Sequence, residues 1–280
     1  MSTLIFIPVS RLPEHALLTW GWRIPFLLSA VVVAVGLWVR RSTPETPAFQ
    51  RAEQANAVVR LPVAVLFRDN GIGVLRVVVC ALVAVVSTIT SVYALSYASD
   101  LGLDKTAMLT VGVLANVVAL GAIPLWAMLA DRIGRRPVFI GGALGSGVLV
   151  FAYLAAIGAG SYVWIFVTGI ALVGVVYSAP NAVWPALYGE MFSTRVRYSG
   201  MALGTQIGFA AAGFSPSIAA AIAGSGRSGW LPVAFFTAAC AAVAAVCALT
   251  ARETHRVPLA ELGVRRAVAG APSSTPAATP

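Results

Sequence analysis

Of the 280 residues, 59% are hydrophobic and only 10% charged, and the mean hydropathy is +0.87, more apolar than a soluble fold of this length carries. The chain therefore reads as a membrane protein. The net charge of +9 does not point to nucleic acid, because the basic residues sit at the ends of apolar runs instead of along one soluble face.

The first stretch, "STLIFIPVS" at residues 2–10, is apolar but short, and it lacks the basic start and cleavage site of a secretory signal. It reads as the outer end of a helix whose beginning is absent, with a short external arm as the alternative, and it leads into an external loop, "RLPEHALLTW". Seven apolar runs follow, near 21–40, 77–99, 107–130, 137–158, 162–188, 200–223 and 230–251. A hydrocarbon core of roughly 30 Å takes about 20 helical residues, so each run is long enough to cross. Backbone in lipid must satisfy its own hydrogen bonds, and the runs are too long for the roughly ten-residue strands of an outer-membrane barrel.

Residues 41–75 are proline-punctuated and then weakly amphipathic, a linker longer than any other loop in the chain. The expected organisation is an external arm plus one helix at 1–40, a central cytoplasmic loop at 41–75, a six-helix bundle at 76–251 and a cytoplasmic tail at 252–280. The tail ends in "APSSTPAATP", which has no apolar periodicity and is expected to be disordered.

Placing the linker inside leaves only Arg11, Arg23, Lys105 and Arg227 of the 19 basic residues outside. That positive-inside bias puts the C-terminus in the cytoplasm. Arg23, in "WGWRIP", is expected to snorkel to the outer interface beside Trp20 and Trp22.

Charge is densest in "LADRIGRRPV", residues 129–138. Gly134 allows a turn that a side chain would resist, Pro137 suits the first turn of the next helix, and Asp131 can pair with arginine or accept from a helix N-terminus. By composition alone this is an ordinary positive-inside hairpin. The order of its residues says more. "MLADRIGRRPVFIGG" resembles the cytoplasmic signature loop of the major facilitator superfamily, roughly Gly-x-x-x-Asp-Arg-x-Gly-Arg-Arg, with Ala127 where the leading glycine is usual. Residues 20–49, "WGWRIPFLLSAVVVAVGLWVRRSTPETPAF", resemble the sixth helix and following loop of its metabolite:proton symporter branch. Residues 188–208, "YGEMFSTRVRYSGMALGTQIG", resemble that branch after its tenth helix, with Ser193 in place of a usual proline.

The resemblance runs from Leu17 to about Pro258 and implies an all-α, polytopic membrane protein: a partial major facilitator fold with about seven transmembrane helices, namely the end of helix 5, helix 6 and helices 7–12. It implies a secondary active transporter of a small polar metabolite, an organic acid or a zwitterionic osmolyte. Such a transporter works by proton symport through alternating access around a midplane site. Here it is represented by a truncated chain. The alternative is a non-transporting remnant, or a split half that needs a separate N-terminal half. The implied partners are a small-molecule substrate, the lipid bilayer of the cytoplasmic membrane and a missing N-terminal half, with no nucleic acid and no cofactor beyond the proton gradient.

Site candidates follow from helical spacing and polarity. Tyr177, Asn181, Trp184 and Tyr188 share one helical face, Thr90, Tyr93 and Tyr97 form a second stripe, and Asn116 and Gln206 are lone amides in apolar helices. Tyr93, Asn116, Tyr177, Asn181 and Gln206 are the substrate-pathway candidates. The competing explanations are interhelical hydrogen bonding for the amides and an interfacial belt for the outer tyrosines. Asp131, Arg132, Gly134, Arg135 and Arg136, with Glu190, Arg195 and Arg197, are expected to form a conformational latch at the cytoplasmic face. Gly141 with Gly145 and Gly204 with Gly208 have the spacing of close helix contacts.

No enzyme constellation is present. Cys80, Cys240 and Cys247 are too scattered for a zinc or redox motif. His-Glu-x-x-His, Gly-x-Ser-x-Gly and the Gly-Lys-Ser/Thr phosphate loop do not occur in the sequence.

Overall fold

The structure, a computed structural model, describes residues 14–42, 62–192 and 196–251. The arm before Glu14, most of the linker, Arg195 and the tail beyond Ala251 lie outside the described residues. Among those described there is no strand, and seven helical spans are long and apolar enough to cross a membrane: α1 (Gly21–Ser42), α2 (Asn70–Asp100), α3 (Lys105–Ile133), α4 (Arg135–Ala159), α5 (Tyr162–Gly189), α6 (Arg197–Ile222) and α7 (Gly226–Thr250). They coincide with the seven apolar runs, longer by a few residues at several ends. The helix that becomes α2 starts at Pro62, inside the segment expected to be a loop, and is kinked at Asn70 (φ −131°) before entering the span.

Short connections hold neighbouring helices antiparallel. Asp104 caps α3 by accepting from Thr106 N at 3.1 Å and Ala107 N at 3.0 Å. One residue, Gly134, separates α3 from α4. Its φ of 103° is a conformation that L side chains rarely adopt, and its N–H closes α3 on Ala130 O at 2.9 Å.

Spans α2 to α7 form one bundle, with α4 along α7, α6 along α2, and α3 against α5. Lipid tails are as apolar as leucine, so packing in a membrane depends on close approach more than on burial of oily surface. The α2–α6 seam shows this: a Cβ on Gly208 would lie 2.5 Å from Ala81 Cβ and 2.8 Å from Val78 O, and one on Gly204 would lie 2.7 Å from a Val77 methyl. In α4, Gly145 makes the expected close contact, a Cβ there lying 2.9 Å from a Val176 methyl, but its expected partner position does not. Gly141 faces open space, whereas a Cβ on Gly142 would lie 2.4 Å from Pro180 Cδ.

Every residue of α1 from Phe26 to Ser42 is exposed. At its start the Arg23 guanidinium sits over the Trp22 ring, 4.6 Å from the centroid, and donates to Thr19 O.

Candidate functional site

A cavity of about 350 Å³ opens between α2, α3 and α5, with Tyr153 of α4 behind it. Two of its walls are irregular for reasons written in the sequence. Within α2, "STITS" at residues 87–91 places four hydroxyls in five positions, and these back-bond to carbonyls one turn earlier: Thr90 to Val86 O at 2.9 Å, Ser91 to Ser87 O at 2.6 Å. Side-chain donors of this kind compete with backbone N–H groups, and the helix widens into a π segment at Ile89–Tyr93. Within α5 a second π segment, Ile170–Val176, precedes Pro180, which has no N–H to give to the turn before it. The indole of Trp126, from α3, donates to Val175 O at 2.8 Å. π segments of this type recur at functional sites.

The polar lining consists of Ser87, Thr90 and Ser91 from α2, Asn116 from α3, Tyr153, and Tyr177 and Asn181 from α5. Tyr177 is buried. Asn116 donates from Nδ2 to Gly112 O at 2.7 Å, which leaves its side-chain carbonyl available. Pro185 cannot donate to the backbone carbonyl of Asn181, four residues back, so that residue brings both an exposed amide and a carbonyl relieved of its helical donor. Among the described residues, no Asp, Glu, Lys, Arg or His lines the cavity. The arrangement can exchange hydrogen bonds with a polar solute but cannot neutralise its charge.

Three of the five pathway candidates, Asn116, Tyr177 and Asn181, thus come together. Tyr93 does not line the cavity: it is buried and stacks on Tyr97, with ring centroids 5.9 Å apart and planes within 4°, while Tyr97 donates to Arg227 O at 2.8 Å. The π turn rotates Tyr93 away from Thr90, so a stripe assigned by regular helical spacing breaks there. Gln206 is exposed on α6, outside the cavity lining. Near it, Trp184 of α5 meets Phe209 of α6 edge to face, 5.9 Å between centroids. Ser87 and Ser91 had no separate signal in the sequence beyond the density of hydroxyls in "STITS".

At the Gly134 end of the bundle, Arg135 forms an ion pair with Glu190, joining α4 to the end of α5. Asp131 stands 4.0 Å from the same guanidinium but is 73% exposed, so water screens most of that interaction. Arg136 donates from Nη2 to Leu249 O at 2.6 Å, at the end of α7. Arg132 is exposed and joins neither ion pair. Arg197 donates from Nε to Phe192 O at 3.4 Å instead of meeting Glu190. Among the described residues, Asp131, Arg135 and Glu190 thus come together around the Gly134 turn; Arg195 lies outside the described residues.

This is a multi-pass helical membrane protein with a polar, charge-free cavity among its helices. Residues 60–264 match the sugar (and other) transporter family, and the chain belongs to that family, within the major facilitator superfamily. It is 34% identical over 250 residues to the shikimate transporter of Escherichia coli (strain K12), covering 87% of this chain and 57% of that protein. It is 29% identical to the inner membrane metabolite transport protein YhjE of the same strain, covering 89% and 58%. To that strain's proline/betaine transporter it is 27% identical, covering 88% and 51%. The crystal structure of a D-xylose-proton symporter superposes with a TM-score of 0.60 at 20% identity, over 91% of this chain and 61% of that one, a likeness of fold. The chain thus spans between half and two thirds of each of these proteins. Membership of a transporter family agrees with the absence of enzyme motifs in the sequence.

Proposed function

We propose that the chain supplies the C-terminal helical half of a secondary active transporter that carries a small polar metabolite by proton symport through alternating access. The observation that supports this most directly is the cavity between α2, α3 and α5, lined by hydroxyls and amides in an otherwise apolar bundle. Pockets with a few convergent polar groups are the usual sites for small solutes. The substrate is an organic acid or a zwitterionic osmolyte, in keeping with relatives named for shikimate and for proline and betaine. Because the lining is uncharged, the substrate's charge and the coupled proton are handled by groups on a facing N-terminal half. The proton gradient drives the cycle without a cofactor. The chain lies in the cytoplasmic membrane with its C-terminus inside, in keeping with the distribution of arginines.

The test is uptake of radiolabelled shikimate, citrate, proline and betaine in cells lacking their own carriers, at two external pH values. The chain is compared alone, with a co-expressed N-terminal half from a relative, and fused to that half. Uptake that rises at acid pH and requires the second half is the expected result. Uptake by the chain alone overturns the need for a facing half, and none in any arrangement favours the remnant.

A further inference from the structure

Two helix irregularities meet beside the cavity. In α6, Pro216 has no N–H to give to Ala212 O, four residues back, and the helix is interrupted at Phe214 between Arg197–Gly213 and Ser215–Ile222. In α2, the hydroxyl-rich turn opens into the π segment at Ile89–Tyr93. Thr88 sits between them. Its Oγ1 lies 3.3 Å from Ala212 O and 2.6 Å from Ser215 Oγ, and Ser215 is 1% exposed. Thr88 Oγ1 also lies 3.0 Å from Val85 O in its own helix: the Ser215 hydroxyl donates to Thr88 Oγ1, and the single Thr88 proton is shared between Val85 O and the Ala212 carbonyl that lacks a donor from Pro216.

We infer that Thr88 and Ser215 are a positioning pair that ties the π turn of α2 to the proline break of α6 and so sets which side chains of α2 face the cavity. Thr90 and Ser91 line it, and Tyr93 is buried against Tyr97. A regular helix turns about 100° per residue and would bring positions 90 and 93 onto one face. The wider turn separates them. Losing the pair lets α2 relax toward regular helix, carrying Tyr93 toward the cavity and Ser91 away from it. The consequence for substrate contact rests on the transport reading above, but the register itself does not.

Cysteine accessibility tests the register without any substrate. Ser91→Cys and Tyr93→Cys are made separately in the full chain in membranes, treated with a charged, water-soluble maleimide, and labelling at each position is read by mass spectrometry so that the native cysteines stay in place. Position 91 labels fast and position 93 slowly. Adding Thr88→Val reverses the order, each rate moving by about fivefold, the population change that one hydrogen bond commands, and Thr88→Ser restores it. Ser215→Ala moves both rates the same way by a smaller factor and carries the test if Thr88→Val does not accumulate. Unchanged rates in the variants overturn the inference. So does a rise at both positions together, which would report general loosening.

Discussion

Arg136, the second residue of α4, donates from Nη2 to Leu249 O in the last turn of α7, 2.6 Å away. The last carbonyls of a helix have no donor of their own and carry the negative end of its dipole, so a guanidinium from a neighbouring helix both caps α7 and pins it to α4. Arg136→Ala should lower the stability of the purified protein by about 1–2 kcal/mol. Thermal unfolding in detergent measures it, and Arg136→Lys should recover part of the loss. Equal stability of wild type and Arg136→Ala would mean that α7 is capped by other groups.

The Arg135–Glu190 pair is the half-buried ion pair of the cluster. Glu190→Gln leaves a guanidinium partly desolvated without its carboxylate, and should destabilise more than Asp131→Asn, by about 1–3 kcal/mol against less than about 0.5 kcal/mol. The exchange Arg135→Glu with Glu190→Arg should restore most of the difference. Denaturant titration of the four variants separates these outcomes, and equal effects of the two single variants would refute the ranking.

Helix contact through glycine differs between two positions of the same small-residue spacing, Gly208 in α6 and Gly141 in α4. Gly208→Val forces α6 off α2 against Ala81 and the Val78 carbonyl, so a loss of about 1–3 kcal/mol is expected. Gly141→Ala meets open space and gains helix propensity, so it should be neutral or slightly stabilising. Stability measurements on the pair check both signs at once.

If the cavity binds the transported solute, Asn181→Ala and Asn116→Ala should raise the KM for uptake by about tenfold each, the loss of one hydrogen bond. Gln206→Ala should leave it within about twofold. The measurement is concentration-dependent uptake by the chain joined to its N-terminal half. An effect of Gln206→Ala as large as that of Asn181→Ala would place the pathway along α6 instead.

Span positions, helical class and the Gly134 hairpin were all legible in the sequence. A run of about 20 apolar residues in lipid has no alternative to a helix that satisfies its own backbone. Asp131, Gly134 and Arg135 are bound to their roles by lying next to one another in the chain. That Asn116, Tyr177 and Asn181 stand out as polar side chains in apolar helices was also legible; the structure places all three in the lining of one cavity.

What the sequence did not decide is which polar groups meet. Tyr93 and Gln206 follow the same rule of polarity as Asn181, yet one stacks against Tyr97 and the other lies outside the cavity. For Tyr93 the reason is that a helical face is counted at a regular turn, while α2 departs from that turn where hydroxyls interrupt the backbone ladder. Arg136 turns to Leu249 O for a related reason: that partner lies on another helix, brought within reach only when the helices pack. The one-dimensional pattern determined that this chain is a bundle of membrane helices with a charged hairpin. Tertiary packing decided, through the π turns and the close seams at Gly142 and Gly208, which of its polar residues share a cavity.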